Sequence, residues 1–477
     1  MPQPNVLLIC VDHWPGRFMS GLGHPAVQTP TLDQMARNGV LFTNAYSATP
    51  TCMPARRELF TGMSARNHGD RDFLDIPFPR RPRMAQVFRD AGYQAYAVGK
   101  MHVCPQRDRI GFDDILLCEE GRHQYGEGAD DFELFLAEQG FAGQELTHGM
   151  CNNEYMVRPW HLPERCHPTN WTTYETCKMI RRRDPTRPAF WYVSYQHPHP
   201  PLAPLQAYLD LYRDVEIPMP FHGDWSRDEG ALPYALFDRR PWRGMYNENA
   251  IRLARRAFYA QCTHIDHQLR LIIGTLRENK LLENTILGFT CDHGDLLGNH
   301  QLWAKGVFYE DSAKIPMLLV PASKDPRTDI GRRDDRLVGL CDIMPTLLDM
   351  CGIAVPQEVE GLSLIGSRHR EVFYGEHYTN AHATRMVRDA RYKLIYYAVG
   401  NRFHLFDLQT DPDELRDLSA DPAHTPVRER LTRTLVEHLY GTDLDWIKDG
   451  ALVGLPDLPR TQRPAHAYSG QRGWRFM

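Results

Sequence analysis

A cysteine opens the run Thr51-Cys52-Met53-Pro54-Ala55-Arg56-Arg57-Glu58-Leu59-Phe60-Thr61-Gly62. Pro54 suits a first helical turn, where a missing N–H is harmless, and Gly62 supplies a left-handed stop. A cysteine at the start of such a helix meets unpaired backbone N–H groups and the positive end of the helix dipole. An anion at that position is stabilised. Arg56, four residues on, shares the helical face and adds a permanent charge. The run alone fits a buried structural cysteine beside a surface arginine equally well. The rest of the chain has to decide.

Four apolar runs are each followed at once by polar residues of complementary chemistry. Asn5–Val11 ends at Asp12-His13, and residues 94–98 lead to Gly99-Lys100-Met101-His102. Residues 189–195 lead to Gln196-His197-Pro198-His199-Pro200, and 285–290 to Cys291-Asp292-His293-Gly294-Asp295. In open α/β sheets, sites form beyond the carboxyl ends of the strands. Asp12, Asp292 and His293 offer hard oxygen and imidazole ligands for a divalent cation, although a strand-end Asp also serves as a helix cap. Lys100 and His102, two apart, point the same way if the backbone stays extended. Lys305, in Trp303-Ala304-Lys305-Gly306, follows a loop, where a lone lysine is ordinarily solvated.

These residues need a scaffold, and the pattern predicts one. Helices are expected over 30–39, 83–92, 249–280 and 342–351, with further strands at Val40–Tyr46 and Lys314–Val320. Residues 104–187 read as irregular insertions over a rim, with one helix near 130–139. Residues 204–242, rich in proline and aromatics, read as another loop. Past 356–367 come short strands at 371–377, 385–389, 392–398 and 404–407, then a helix at 427–440. The fold class is therefore α/β, with a catalytic domain over 1–360. A smaller subdomain over 361–477 holds an antiparallel sheet, a helix and an extended tail. The tail, 441–477, is expected to wrap the body or a neighbouring subunit, the second case giving a homo-oligomer.

With 477 residues, 42% hydrophobic and 24% charged, the chain can bury a sizeable core. A net charge of −5 gives no reason to expect a nucleic-acid or membrane partner. Eleven cysteines without Cys-x-x-Cys spacing indicate neither a disulfide framework nor a zinc ribbon. No secretory signal or membrane-length apolar run is visible, which predicts a cytoplasmic location.

Cys52-Met53-Pro54-Ala55-Arg56 with Leu59-Phe60-Thr61-Gly62 resembles the Cys-x-Pro-x-Arg…Thr-Gly signature of type I sulfatases, with Ala55 where that family usually has serine. The resemblance implies an alkaline-phosphatase-like fold with a large mixed sheet. It also implies that Cys52 is oxidised to Cα-formylglycine by a maturation enzyme. Asp12, His13, Cys52, Asp292 and His293 would then hold one divalent cation. Calcium is the first expectation, with manganese, magnesium or zinc as alternatives because His13 stands where many sulfatases carry Asp. Gly-Lys-Met-His resembles the family's Gly-Lys-x-His motif, and His199 its Pro-His-x-Pro histidine, with His197 the less secure of the pair. Lys100, His102, His199 and Lys305 would contact the nucleophile or the sulfate, beside Arg56. Arg71, within Asp70-Arg71-Asp72 and near Asp75, would meet the alcohol portion of the substrate, although surface ion pairs explain that group as well. The residues 391–414 also resemble the family's Tyr-Lys-Leu…Asp-Pro-x-Glu segment. The implied reaction is hydrolysis of a sulfate monoester on a small molecule or carbohydrate. A phosphonate monoester hydrolase on the same fold, or a catalytically silent binding protein, are the alternatives. Lys100-x-His102 speaks against the first and the full set of charged residues against the second.

Overall fold

Strand β1, Asn5–Val11, is buried along its whole length and lies inside an eight-stranded sheet. Its partners are β2 (Val40–Tyr46), β3 (Gln94–Gly99), β4 (Asp114–Leu117), β5 (Ala189–Ser194), β6 (Thr285–Cys291), β7 (Lys314–Val320) and β8 (Arg332–Gly339). The spatial order is β4-β3-β5-β1-β6-β7-β2-β8. The computed structural model describes residues 3–460 except 122–127, 151, 240–241, 245–246, 323–324 and 326.

Strands β3, β5, β1 and β6 run parallel and side by side. Their carboxyl ends therefore finish along one rim, and the four polar junctions become neighbours. Val11 pairs with Cys291, so Asp12 and Asp292 leave the sheet together. Strand β7 is antiparallel to both β6 and β2, which makes the sheet mixed. No residue of β1, β5 or β6 is exposed, as near-continuous apolar runs covered on both faces require.

Two groups of helices provide the cover. The helix Glu248–Glu278 packs on Pro30–Arg37, Pro168–Arg182 and Gln206–Leu211. The helix Cys52–Thr61 packs on Ala65–His68, Met84–Asp90 and Ile343–Met350. Several elements depart from the sequence reading, among them the helices Gln206–Leu211 and Tyr234–Phe237 in the stretch 204–242 read as a loop. The stretch taken as irregular contributes the edge strand β4 and the fifteen-residue helix Pro168–Arg182. That helix is rich in threonine, a weak helix former, and draws its stability from packing on Glu248–Glu278. Strand β8, Arg-Arg-Asp-Asp-Arg-Leu-Val-Gly, is a charged edge strand whose first half shows no apolar run.

The second sheet is an antiparallel meander of β9 (Phe373–His377), β10 (Thr384–Arg388), β11 (Tyr392–Tyr397) and β12 (Arg402–Asp407). Val387, Leu394 and Leu405 face the helix Thr425–His438 through Leu431 and Leu435. Met386, Ile395 and Phe406 belong to the opposite face and pack on Tyr46, Phe308 and Tyr309 of the main body. No described helix is long and apolar enough to cross a membrane. The ten described cysteines are all free thiols. The end of the tail, 461–477, and any subunit contact through it, lie outside the described residues.

A buried ion cluster joins the two sheets. Lys393 on β11 is fully buried and donates to Glu310 at 2.8 Å and Glu414 at 2.6 Å, while Tyr46 of β2 donates to Glu310. Lys314 reaches Glu310 at 3.3 Å from a partly exposed position, so removing Lys393 takes away the fully buried cation that lies between Glu310 and Glu414. Lys393→Met is expected to lower stability by about 3–5 kcal/mol, read as a lower urea midpoint.

Candidate active site

All ten residues of the Cys52–Thr61 helix are buried, and Gly62 ends it at φ 65°. Thr51 stands at the N-cap with extended backbone, but its side chain makes no cap bond. Its hydroxyl meets Nε2 of His377 at 2.9 Å, and Nδ1 of that ring lies 3.1 Å from the Gly306 carbonyl. The Thr51 hydroxyl therefore caps no N–H of the helix.

Asp12, at the end of β1, divides its two oxygens. Oδ1 faces Cys52 Sγ at 3.8 Å and His293 Nε2 at 3.5 Å. Oδ2 accepts from Lys100 Nζ at 2.5 Å and lies 3.6 Å from Arg56 Nη2. Burial alone would raise the Asp12 pKa, but Lys100, His199, His13 and His293 hold it well below the usual carboxylate range. Cys52 Sγ is 3.1 Å from His293 Nε2. Burial and Asp12 push the thiol pKa up, yet Lys305, Lys100 and His293 bring the net below its ordinary value. Burial opposes a charge on His293, and Asp292 and Cys52 raise it to about 9 despite that. Residue 52 thus sits where an anion is favoured.

Lys305 Nζ reaches His13 Nε2 at 2.5 Å, His199 Nε2 at 3.2 Å and Asn153 Oδ1 at 3.3 Å. His199 donates through Nδ1 to the Pro200 carbonyl, which leaves Nε2 facing Lys305. Burial keeps its pKa well below the imidazole range. His13 adopts φ 70° and meets Asp295 through Nδ1 at 2.7 Å, so it offers Nε2 to the site. Tyr155 donates to the same Asp295 carboxylate.

Four donor atoms, one each from Asp12, His13, Cys52 and His293, lie within 4.8 Å of one another, and all four residues are buried. A carboxylate oxygen, two imidazole nitrogens and a group at position 52 suit one divalent cation. Asp292 stands beside this set, its Oδ2 accepting from Arg56 Nε at 3.0 Å and its Oδ1 lying 3.7 Å from His293 Nε2.

Other sequence expectations sort differently. Arg56 is buried to 1% exposure and donates to Asp292, the Lys100 carbonyl and Ser194 Oγ, so it positions the site from below. The extended backbone expected to align His102 with Lys100 is not found. The strand stops at Gly99, φ 105°, and His102 takes φ 55°, with its ring edge-on to Phe73 at 5.3 Å. Arg71 does not join the group. Its guanidinium is held by Glu376 and Asp443, both at 3.0 Å, with Tyr440 beneath it. Asp70 pairs with Arg57, and Asp72 accepts from Thr379. His197 contacts Thr169 and stacks near His167, one layer behind His199.

Several residues that build the site were not found by spacing. Glu120 accepts from Lys100 at 2.7 Å, and Glu119 takes the N–H groups of Met101 and His102. Asn153, Tyr155 and His377 arrive from distant segments. Only Asp295, two residues past His293 in Asp-His-Gly-Asp, had a usable signal.

The Sulfatase family model matches residues 4–353. The chain belongs to the sulfatase family. A model described as N-sulphoglucosamine sulphohydrolase, C-terminal, matches 298–440. An arylsulfatase of Clostridium perfringens is 34% identical over 459 residues, covering 92% of this chain and 95% of that one. The crystal structure of the phosphonate monoester hydrolase of Agrobacterium radiobacter superposes with a TM-score of 0.80 at 24% identity, over 91% of this chain and 95% of that one. A structure in complex with its substrate D-glucosamine-2-N,6-O-disulfate gives 0.73 at 19% identity, over 91% and 97%. The sulfatase fold is thus that of the alkaline phosphatase superfamily, and the enzyme is a sulfuric ester hydrolase.

The carboxylate behind His13 fixes which nitrogen faces the donor set. Asp295→Asn is expected to weaken divalent-cation binding by about 10- to 100-fold, measured by titration calorimetry on chelator-treated protein. An unchanged Kd would remove His13 from the ligands.

Proposed function

We propose that this sulfatase cleaves its sulfate monoester at residue 52, carried as Cα-formylglycine, beside one divalent cation. The supporting observation is that Cys52 Sγ meets the donor set of Asp12, His13 and His293 in a buried pocket also reached by Lys100 and Lys305. Asp292 completes that set from the side. Two imidazoles soften the site, so manganese, magnesium and zinc compete with calcium, the ion proposed first.

A sulfate ester is itself an anion and resists anionic nucleophiles, so the site must concentrate positive charge. When present, the hydrated formylglycine supplies the nucleophilic hydroxyl and the cation lowers its pKa. Asp12 keeps its charge because Lys100 and the histidines His199, His13 and His293 face it, and so stays a ligand at neutral pH. Lys100, tied between Asp12 and Glu120, presents positive charge to a sulfate oxygen at the end of β3. Lys305 does the same from the opposite wall. Lys305, whose Nζ donates to the bare Nε2 of His199, carries the proton for the departing alcohol, with His199 orienting it. Asp292, held by Arg56, is the base beside residue 52.

The disulfated glucosamine bound by one structural neighbour supports a sulfated carbohydrate or small molecule as substrate. A formylglycine-generating maturation enzyme is the implied partner.

Cys52→Ala, or expression without that maturation enzyme, is expected to lower kcat on an aryl sulfate by about a thousandfold or more. Full turnover from protein whose Cys52 is intact by mass spectrometry would rule the mechanism out. The same preparation should hydrolyse the aryl sulfate faster than the matching aryl phosphonate monoester. The reverse order would favour the phosphonate reading.

A further inference from the structure

Arg239 follows the short helix Tyr234–Phe237 and is 8% exposed. No carboxylate among the described residues pairs with it. Its amino groups donate to the backbone oxygens of Trp303 and Gly306 at 3.4 Å, and to that of Lys305. Among the described residues its Nε has no acceptor. Carbonyls satisfy hydrogen bonds but do not neutralise charge, and a buried ion without a counter-ion is destabilising. Burial lowers the Arg239 pKa, against smaller opposing effects of Tyr378, Tyr397, Tyr155 and Tyr309. Buried Arg56 and Arg385 have carboxylate partners, Asp292 and Asp443, whereas Arg255 and Arg388 are held, like Arg239, by neutral acceptors.

A cavity of about 170 Å³ opens on this guanidinium, lined by Asp238, Arg239, Trp242, Gly306, Tyr378 and His382 among others. Asp238 is engaged by His382 at 3.2 Å. The Trp242 ring centroid lies 5.8 Å from the Arg239 guanidinium carbon. Tyr378 holds φ 59°, a conformation that non-glycine residues keep mainly where the surroundings enforce it.

The cavity lies next to the reaction site. Gly306 directly follows Lys305, and Tyr378 directly follows His377. Trp242 donates to the Asn153 carbonyl at 3.4 Å, and the Asn153 side chain touches Lys305. The volume falls below the roughly 300–1,000 Å³ of a pocket for a whole small ligand. It fits one ring or one charged substituent of a ligand bound across both places.

We infer that this cavity is a second anion subsite, which takes a carboxylate or a further sulfate on the alcohol part of the ester. Arg239 is its counter-ion, and Trp242 and Tyr378 wall the ring that carries the anion. The inference rests on the sulfatase reading and narrows it to substrates with two negative groups.

The test uses metal-replete enzyme with formylglycine confirmed at position 52. Matched aryl sulfates are compared: one with no other charge, one with a carboxylate and one with a second sulfate, the extra group placed at several ring positions. The doubly charged ester is expected to show a kcat/KM higher by about tenfold or more, as a charge-assisted hydrogen bond gives. Arg239→Gln is expected to remove that preference. The carboxylate and sulfate arms tell which anion the subsite takes. Should Arg239→Gln fail to fold, the wild-type enzyme still decides through inhibition by aryl disulfonates against monosulfonates of the same ring. Equal kcat/KM, equal inhibition, or a preference that survives in Arg239→Gln would each overturn the subsite. Turnover of the plain ester without gain from the second anion sinks the subsite alone, whereas no turnover of any ester sinks both readings.

Discussion

The carboxylate of Asp12 is the interaction on which the site depends. One oxygen belongs to the donor set around residue 52, and the other is held by Lys100 with Arg56 behind it. A carboxylate buried this deeply would take up a proton if left alone. Lys100, with His199, His13 and His293, prevents that, and Glu120 and Asp292 in turn pair with Lys100 and Arg56. Charges of both signs are interleaved from β3 to β6, and the parallel order of the strands makes the interleaving possible.

The cost of burying so many ions is met by structure outside the site. The fully covered strands exclude water, which strengthens each charge pair and penalises each vacancy in the network. Backbone geometry bends to the same end. His13, His102 and Tyr378 all hold positive φ at the rim, and each belongs to a segment fixed on both sides by hydrogen bonds or ring contacts. Strain of this kind persists only where packing over-determines the conformation.

Much of this was legible in the sequence, for a definite reason. Asn5–Val11, Ala189–Ser194 and Thr285–Cys291 are continuous apolar runs, and the residues just past them inherit positions on one rim. The helix at Cys52 declared itself through Pro54 and Gly62. Elements stabilised by tertiary contact were harder to see: the threonine-rich Pro168–Arg182 helix and the charged strand β8 lack a local signature. The same applies inside the site. Arg71 lies close in sequence to the Cys52 helix yet is drawn to Glu376 and Asp443. Glu120, Asn153 and His377 are remote in sequence yet touch its charged groups, and no spacing rule links them to Cys52.

The placement of His377 has a consequence for how such an enzyme diversifies. Strand β9 ends with a ring that braces both the start of the Cys52 helix and the loop carrying Lys305, while the turn that follows it forms the rim of the Arg239 cavity. Reaction and recognition therefore hang from adjacent residues of one hairpin. Lineages that remodel this turn to accept new molecules must keep its first residue in place. Selectivity and speed would drift together in any that failed to do so.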